Sequence, residues 1–258
     1  MKLAITGKGG VGKTTFASLL AYLFAEQGRM VLAVDADPSP CLGAALGFDP
    51  EQLRTLPSIV AMEDLIRERT GAQPGTFGGY FKLNPRVDDI PDRFTLTQHG
   101  IKLLQLGAIE KGGSGCICPE SVLLKQLVSH ILLRRDEVVV MDMYAGVEHL
   151  GRATVEAVDA LIVVCEPSAR SLAAAAQIKS LAADIGLTRL YLVSNKTRSE
   201  AERAFVDAHS PGLPLLGHLP YLPQIQDAER NGQAAYRAVP EAAAAVRDLW
   251  AAFEARAS

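Results

Sequence analysis

A chain of 258 residues with 48% hydrophobic and 21% charged residues can bury a full core on its own, which excludes large-scale disorder and any need for disulfide or metal staples. The net charge of −3 excludes a dominant basic footprint for nucleic acid, and no apolar run is long enough to cross a bilayer. Four cysteines in this length make no disulfide framework, and the N-terminus runs into strand-like sequence without a leader pattern, so a cytoplasmic protein with reduced thiols is expected.

Lys2–Thr6 reads as a short strand, interrupted by a glycine-rich loop. From Thr15 the period changes: Phe16, Leu19, Leu20, Leu23 and Phe24 fall on one face of an amphipathic helix, which Gly28 can end. Met30–Val34 is an unbroken apolar run that stops at Asp35. Strand, loop, helix and strand make a βαβ crossover, which feeds a parallel sheet. Apolar runs recur at Val138–Met141, Leu161–Val164 and Leu190–Val193, with a weaker one at Leu215–Leu219. Helical stretches at Val122–Leu133, Ser168–Ala183 and Pro240–Ala255 separate or follow them. Runs that are apolar throughout suit strands buried on both faces. The predicted architecture is α/β: one domain with a doubly wound, mostly parallel seven-stranded sheet and helices on both faces. Residues 54–119 break the rhythm with Gly78-Gly79, Pro85, Pro91 and Gly112-Gly113-Ser114-Gly115, around strand-like pieces at Phe94–Leu96 and Ile101–Leu106. This stretch is expected to be a functional insertion.

Gly7-Lys8-Gly9-Gly10-Val11-Gly12-Lys13-Thr14 has the P-loop spacing. Its glycines let backbone N–H groups close around phosphate oxygens, and the following helix turns its positive end toward the same anion. Lys13 should lie along the β- and γ-phosphates, and Thr14 should give its hydroxyl oxygen to Mg²⁺. Asp35 and Asp37 follow the second strand, and Asp142 ends the run Val138–Met141. An aspartate after a strand is ordinarily a cap or turn residue. Beside a P-loop, at the carboxyl edge of a parallel sheet, Asp142 is placed to serve Mg²⁺ and Asp37 to position an attacking water.

The loop, Gly7 to Thr15, resembles the deviant Walker A of the MinD, ParA, ArsA and nitrogenase iron-protein superfamily of P-loop NTPases, the SIMIBI type. The resemblance implies that Gly9, Gly10, Val11, Gly12, Lys13, Thr14 and Thr15 hold ATP or ADP. It also implies that Lys8 reaches across a homodimer to the partner's nucleotide, where a second positive charge assists catalysis. Asp35-Ala36-Asp37-Pro38 is similar to the first switch, and Asp142 with Ala145-Gly146 to the second. Asn195-Lys196 is similar to the adenine-recognising segment, and Pro220-Tyr221 to the one that closes over the base. An acidic residue is expected where Tyr144 stands, so the second switch departs from the pattern.

Cys116-Ile117-Cys118-Pro119 resembles the Cys-x-Cys of the CooC-type family of ATPases that insert nickel into carbon monoxide dehydrogenase, as do Ala145–Arg152 and Cys165-Glu166-Pro167-Ser168. By itself the pair fits a metal site, a redox pair or two buried thiols. The resemblance implies metal: two thiolates from each of two copies around one Ni²⁺, with Zn²⁺ as substitute, and the carbon monoxide dehydrogenase apoprotein as partner. Cys41 and Cys165 are expected to be packed structural thiols, and His149 a helix-start or interface residue. Two rivals remain. A reductase like the nitrogenase iron protein would hold an iron–sulfur cluster, although that relative's cysteines are well separated. A MinD- or ParA-like positioning ATPase predicts a basic C-terminal helix. Val246–Phe253 has apolar residues at helical spacing and little positive charge, which suits core packing.

Overall fold

The structure, a computed structural model, describes residues 1–75, 80–107, 118–134, 137–144 and 158–257. In chain order the elements are β1 (Lys2–Gly7), α1 (Lys13–Glu26), β2 (Val31–Ala36), α2 (Leu42–Ala45), α3 (Pro50–Thr55), a 3₁₀ turn (Ile59–Ala61), α4 (Glu63–Thr70), α5 (Ile90–Arg93), β3 (Leu96–Gln98), β4 (Ile101–Gln105) and α6 (Pro119–Arg134). They continue as β5 (Val138–Met143), β6 (Ala160–Cys165), α7 (Ala169–Asp184), β7 (Leu190–Thr197), α8 (Glu200–His209), β8 (Leu215–Pro220), α9 (Pro223–Arg230), α10 (Ala235–Ala238) and α11 (Pro240–Ala257).

The strands form one sheet of order β3-β4-β2-β5-β1-β6-β7-β8. Every pairing is parallel except β3 with β4. The unbroken apolar runs are explained by two cores, one per face. Leu3, Ile5, Val31, Ala33, Val138 and Val140 pack into the core under α1 and α11. Their neighbours Ala4, Leu32, Val34, Val139 and Met141 pack into the core under α4, α6 and α7. Successive side chains point to opposite faces, so a strand covered on both sides must be apolar at every position.

Three expectations need revision. The sheet has eight strands, not seven. His99 and Gly100 both have positive φ, 52° and 77°, as the two-residue turn of a type I′ hairpin requires, and this turn folds β3 back onto β4. Second, α1 is buried from Phe16 through Phe24 rather than along one face, because α2, α10 and α11 close over its outer side. Trp250 of α11 meets the Phe24 ring edge-on at 4.8 Å. Third, residues 54–119 are not irregular throughout. The described part holds α4, α5 and the β3–β4 hairpin, and Arg69 of α4 pairs bidentately with Asp89, at 2.8 and 2.9 Å. In the last helix Val246, Leu249, Trp250 and Phe253 are all buried, as core packing of that segment predicts.

Candidate active site

The carboxyl ends of β1, β2, β5 and β7 meet the N-terminus of α1 at one edge of the sheet. The loop between β1 and α1 holds three glycines at positive φ, Gly7, Gly10 and Gly12, and at two of them a β-carbon would also collide. At Gly7, φ is 148° and a β-carbon would collide with the Val164 carbonyl. At Gly12, φ is 91° and a β-carbon would collide with the Asn195 amide. Lys13, 8% exposed, lays its ammonium 3.5 Å from the Lys8 carbonyl, and the Val11 N–H rests on the same oxygen at 3.4 Å. Lys8 itself lies on the exposed part of the loop.

Thr14 donates its hydroxyl to Asp142 Oδ2 at 2.6 Å. Asp142 is 1% exposed, and its Oδ1 has no partner among the described residues. Burial pushes its carboxyl up to about 7, opposed by the Thr14 bond and reinforced by Asp35. Asp35 is the register neighbour of Asp142 on β2. Burial lifts Asp35 to about 6, although its carboxylate accepts from the Leu42 N–H at 2.8 Å and the Asp37 N–H at 3.1 Å. Two buried carboxylates side by side, one with an orphaned oxygen, make a place that favours a cation. Asp37 is only partly buried, and its Oδ1 accepts from the Ser39 N–H at 2.9 Å in a local turn.

Asn195 and Lys196 come from β7. Ser194 pairs with His218 and Thr197 with Pro220, so three steps along β7 match two along β8. That is a β-bulge, with Lys196 at φ 59°. Consecutive residues of a regular strand face opposite ways, but here both reach the loop: Asn195 Nδ2 donates to the Val11 carbonyl at 2.8 Å and Lys196 Nζ to the Gly10 carbonyl at 2.6 Å. Beyond them lies a cavity of about 300 Å³, lined by Lys13, Thr15, Asn195, Pro220, Tyr221 and Glu229 among others.

Three residues at this site were not assigned a role by sequence reasoning. Glu229 accepts from the Thr15 hydroxyl at 3.3 Å. Arg198 holds its guanidinium 4.4 Å over the Tyr221 ring. Glu166 accepts from Lys196 at 2.7 Å. No spacing rule joins residues so far apart in the chain; only the approach of β6, β7 and α9 does.

Of the expected metal pair, Cys118 lies 2% exposed at the head of α6, where Ser121 Oγ accepts from its N–H, while Cys116 falls outside the described residues. Ala145, Gly146 and His149 also fall outside them. Among the described residues no group of three or more His, Cys, Asp or Glu side chains could hold a metal. Tyr144 is 53% exposed, with its carbonyl accepting from Thr6 Oγ1 at 3.2 Å. Cys165 is a packed thiol, as expected, which burial pushes to about 12. Cys41 is not: it is exposed, because it precedes the first turn of α2 and Leu42 takes the buried position.

Residues 2–235 match the CobQ/CobB/MinD/ParA nucleotide-binding domain. The chain is 47% identical over 240 residues to the carbon monoxide dehydrogenase accessory protein CooC of Rhodospirillum rubrum, covering 93% of this chain and 91% of that protein. It is 46% identical over 235 residues to an ATP-binding protein of Methanocaldococcus jannaschii, covering 90% of each. Among solved structures, the MinD cell division protein of Aquifex aeolicus superposes with a TM-score of 0.67 at 20% identity, covering 100% of this chain and 97% of that one.

Proposed function

The chain belongs to the CobQ/CobB/MinD/ParA nucleotide-binding family and is an ATPase, and from that premise we propose that it is a dimerising, MgATP-driven carrier that delivers nickel to a carbon monoxide dehydrogenase apoprotein in the cytoplasm. The observation that carries this reading is the near full-length similarity to a carbon monoxide dehydrogenase accessory protein, joined to the Cys116-x-Cys118 pair before α6.

In this reading the loop from Gly9 to Thr15 wraps the phosphates, and Lys13 exchanges the Lys8 carbonyl for phosphate oxygens. Mg²⁺ suits the residues present: a threonine hydroxyl and a buried carboxylate with an unpartnered oxygen are hard oxygen donors. Thr14 and Asp142 would hold it, and the bound ion would neutralise charge on the phosphate oxygens. Asp37 orients the attacking water. Lys8 serves the partner's nucleotide, and its place on the exposed part of the loop supports that role. The Val11 carbonyl holds Asn195 by its Nδ2, which leaves Oδ1, an acceptor suited to the 6-amino group of adenine. Lys196 steadies the loop behind the phosphates, and Pro220 and Tyr221 cover the base.

The cargo sits between two copies, two thiolates from each. Because Cys118 is buried, loading requires the start of α6 to open, and nucleotide-dependent pairing is the event that drives it. The test is the metal content and oligomeric state of the anaerobically purified protein, with and without a non-hydrolysable ATP analogue. A dimer favoured by the analogue, holding nickel or zinc that Cys116→Ser removes while nucleotide binding persists, is the expected result. A protein that stays monomeric under every condition, or unchanged metal in Cys116→Ser, refutes the carrier. Bound iron with a brown colour would replace it with an iron–sulfur reductase.

A further inference from the structure

We infer that Glu166 is a positioning residue for the phosphate loop, acting through Lys196. Glu166 follows β6, and a turn fixes its backbone: its N–H donates to Ser171 Oγ at 2.9 Å and its carbonyl accepts from the Ser168 N–H at 2.7 Å. Its carboxylate holds the Lys196 ammonium at 2.7 Å, and that ammonium donates to the Gly10 carbonyl at 2.6 Å. The three groups form a relay from the neighbouring strand into the loop.

The consequence follows from peptide geometry. A trans peptide carries its C=O and the next N–H on opposite sides, and none of the described peptides is cis. Anchoring the Gly10 and Val11 carbonyls on one side therefore turns the N–H groups of Val11 and Gly12 to the other, where the Val11 N–H rests on the Lys8 carbonyl, an oxygen that phosphate would displace. Without a carboxylate behind it, the Lys196 chain has four rotatable bonds and only its one bond to the Gly10 carbonyl to hold it there. The ion pair adds little to stability as such, since each side chain is 35% exposed and such pairs are worth about 0–1 kcal/mol. Its value lies in where it holds the ammonium.

Removal of Glu166 has two opposed effects. It frees the positive charge of Lys196, which by itself would tighten phosphate binding, and it releases the Gly10 carbonyl, which loosens it. Because the Gly10 carbonyl sets the orientation of the loop's phosphate-facing backbone, the second effect is expected to be the larger.

The experiment measures the Kd of a fluorescent non-hydrolysable MgATP analogue and the Tm for the full chain and for Glu166→Ala, Glu166→Gln, Lys196→Met and the double variant Glu166→Ala/Lys196→Met. Glu166→Ala should weaken binding about tenfold, the worth of one well-placed hydrogen bond. Glu166→Gln, which keeps an acceptor oxygen, should recover most of the loss. In the Lys196→Met background, Glu166→Ala should add less than about twofold. In turnover the loss should fall on KM more than on kcat. Equal losses in both backgrounds, unchanged or tighter binding in Glu166→Ala, or a Gln variant as weak as the Ala variant overturns the inference. It rests on the phosphate loop as the nucleotide site, and Lys13→Ala separates the two failures. Nucleotide binding undiminished in Lys13→Ala would remove that site altogether, whereas binding lost there but intact in Glu166→Ala removes only the relay.

Discussion

Replacing Asp142 by asparagine should make the nucleotide-free protein more stable above neutral pH while destroying its use of Mg²⁺. Burial raises this carboxyl from 3.8 to about 7. An acid whose folded pKa lies above its unfolded value binds more protons folded than unfolded between those two points, so stability falls as pH rises from about 4 to about 7. At 1.36 kcal/mol per pH unit the cost is on the order of 4 kcal/mol by pH 8 and below about 2 kcal/mol at pH 5. Asparagine carries no charge to desolvate and can still accept from Thr14, losing only the charge-assisted part of that bond, about 1 kcal/mol. The variant should therefore gain about 2–3 kcal/mol at pH 8, a Tm rise of roughly 5–10 °C for a chain of this size. At pH 5 the gain should shrink to about 1 kcal/mol or less. Thermal melts of both proteins across this pH range, without nucleotide, measure the difference, and nucleotide titrations with and without Mg²⁺ measure the functional cost. A variant that is less stable than the parent at pH 8, or equally shifted at both pH values, refutes the argument that burial governs this carboxylate.

Two further outcomes follow from the site. Gly12→Ala should lose nucleotide binding by a factor of ten or more, on the order of 1.4 kcal/mol or above, because the new β-carbon meets Asn195 at a φ of 91°; isothermal titration with ADP checks this, and binding within twofold of the parent contradicts it. Arg198→Ala should raise the KM for ATP about threefold to fivefold by taking the cation off the outer face of Tyr221, a contact worth about 0.5–1 kcal/mol; the same substitution in a Tyr221→Ala background should then have almost no effect.

The parts of the fold legible in the sequence are those where burial is complete. Leu3–Ile5, Val31–Val34 and Val138–Met141 are apolar at every position because helices cover both faces, whereas a strand with one wet face would alternate. The P-loop was legible because its chemistry is local, with phosphate donors, glycines and lysine all within eight residues. By contrast α4, α8 and α9 are only eight to ten residues long and polar on average, so they lack the apolar content by which the longer helices stand out, even though their few apolar residues are periodic. The bulge at Asn195-Lys196 was invisible as well. It depends on β8 advancing two residues where β7 advances three, a property of the pairing rather than of either strand. The roles of Glu166, Arg198 and Glu229 share that cause, since each is fixed by a neighbour from another part of the chain. The exposure of Cys41 reverses the ordinary preference of free cysteine for the interior, because Leu42 competes for the same space and buries more apolar surface.

The short hairpin strand at one end of the sheet also governs how copies of this chain can meet. A parallel sheet with an open flank invites a neighbouring molecule to extend it, the usual beginning of fibrous or precipitated material. Here the flank beyond β4 is occupied by only three residues, Leu96–Gln98, and the opposite flank, β8, finishes on Pro220, which has no N–H to offer. Among the described residues a stranger would find a three-residue ladder at the β3 margin and Leu215–Leu219 before Pro220 at the other, so strand addition is most restricted at the hairpin.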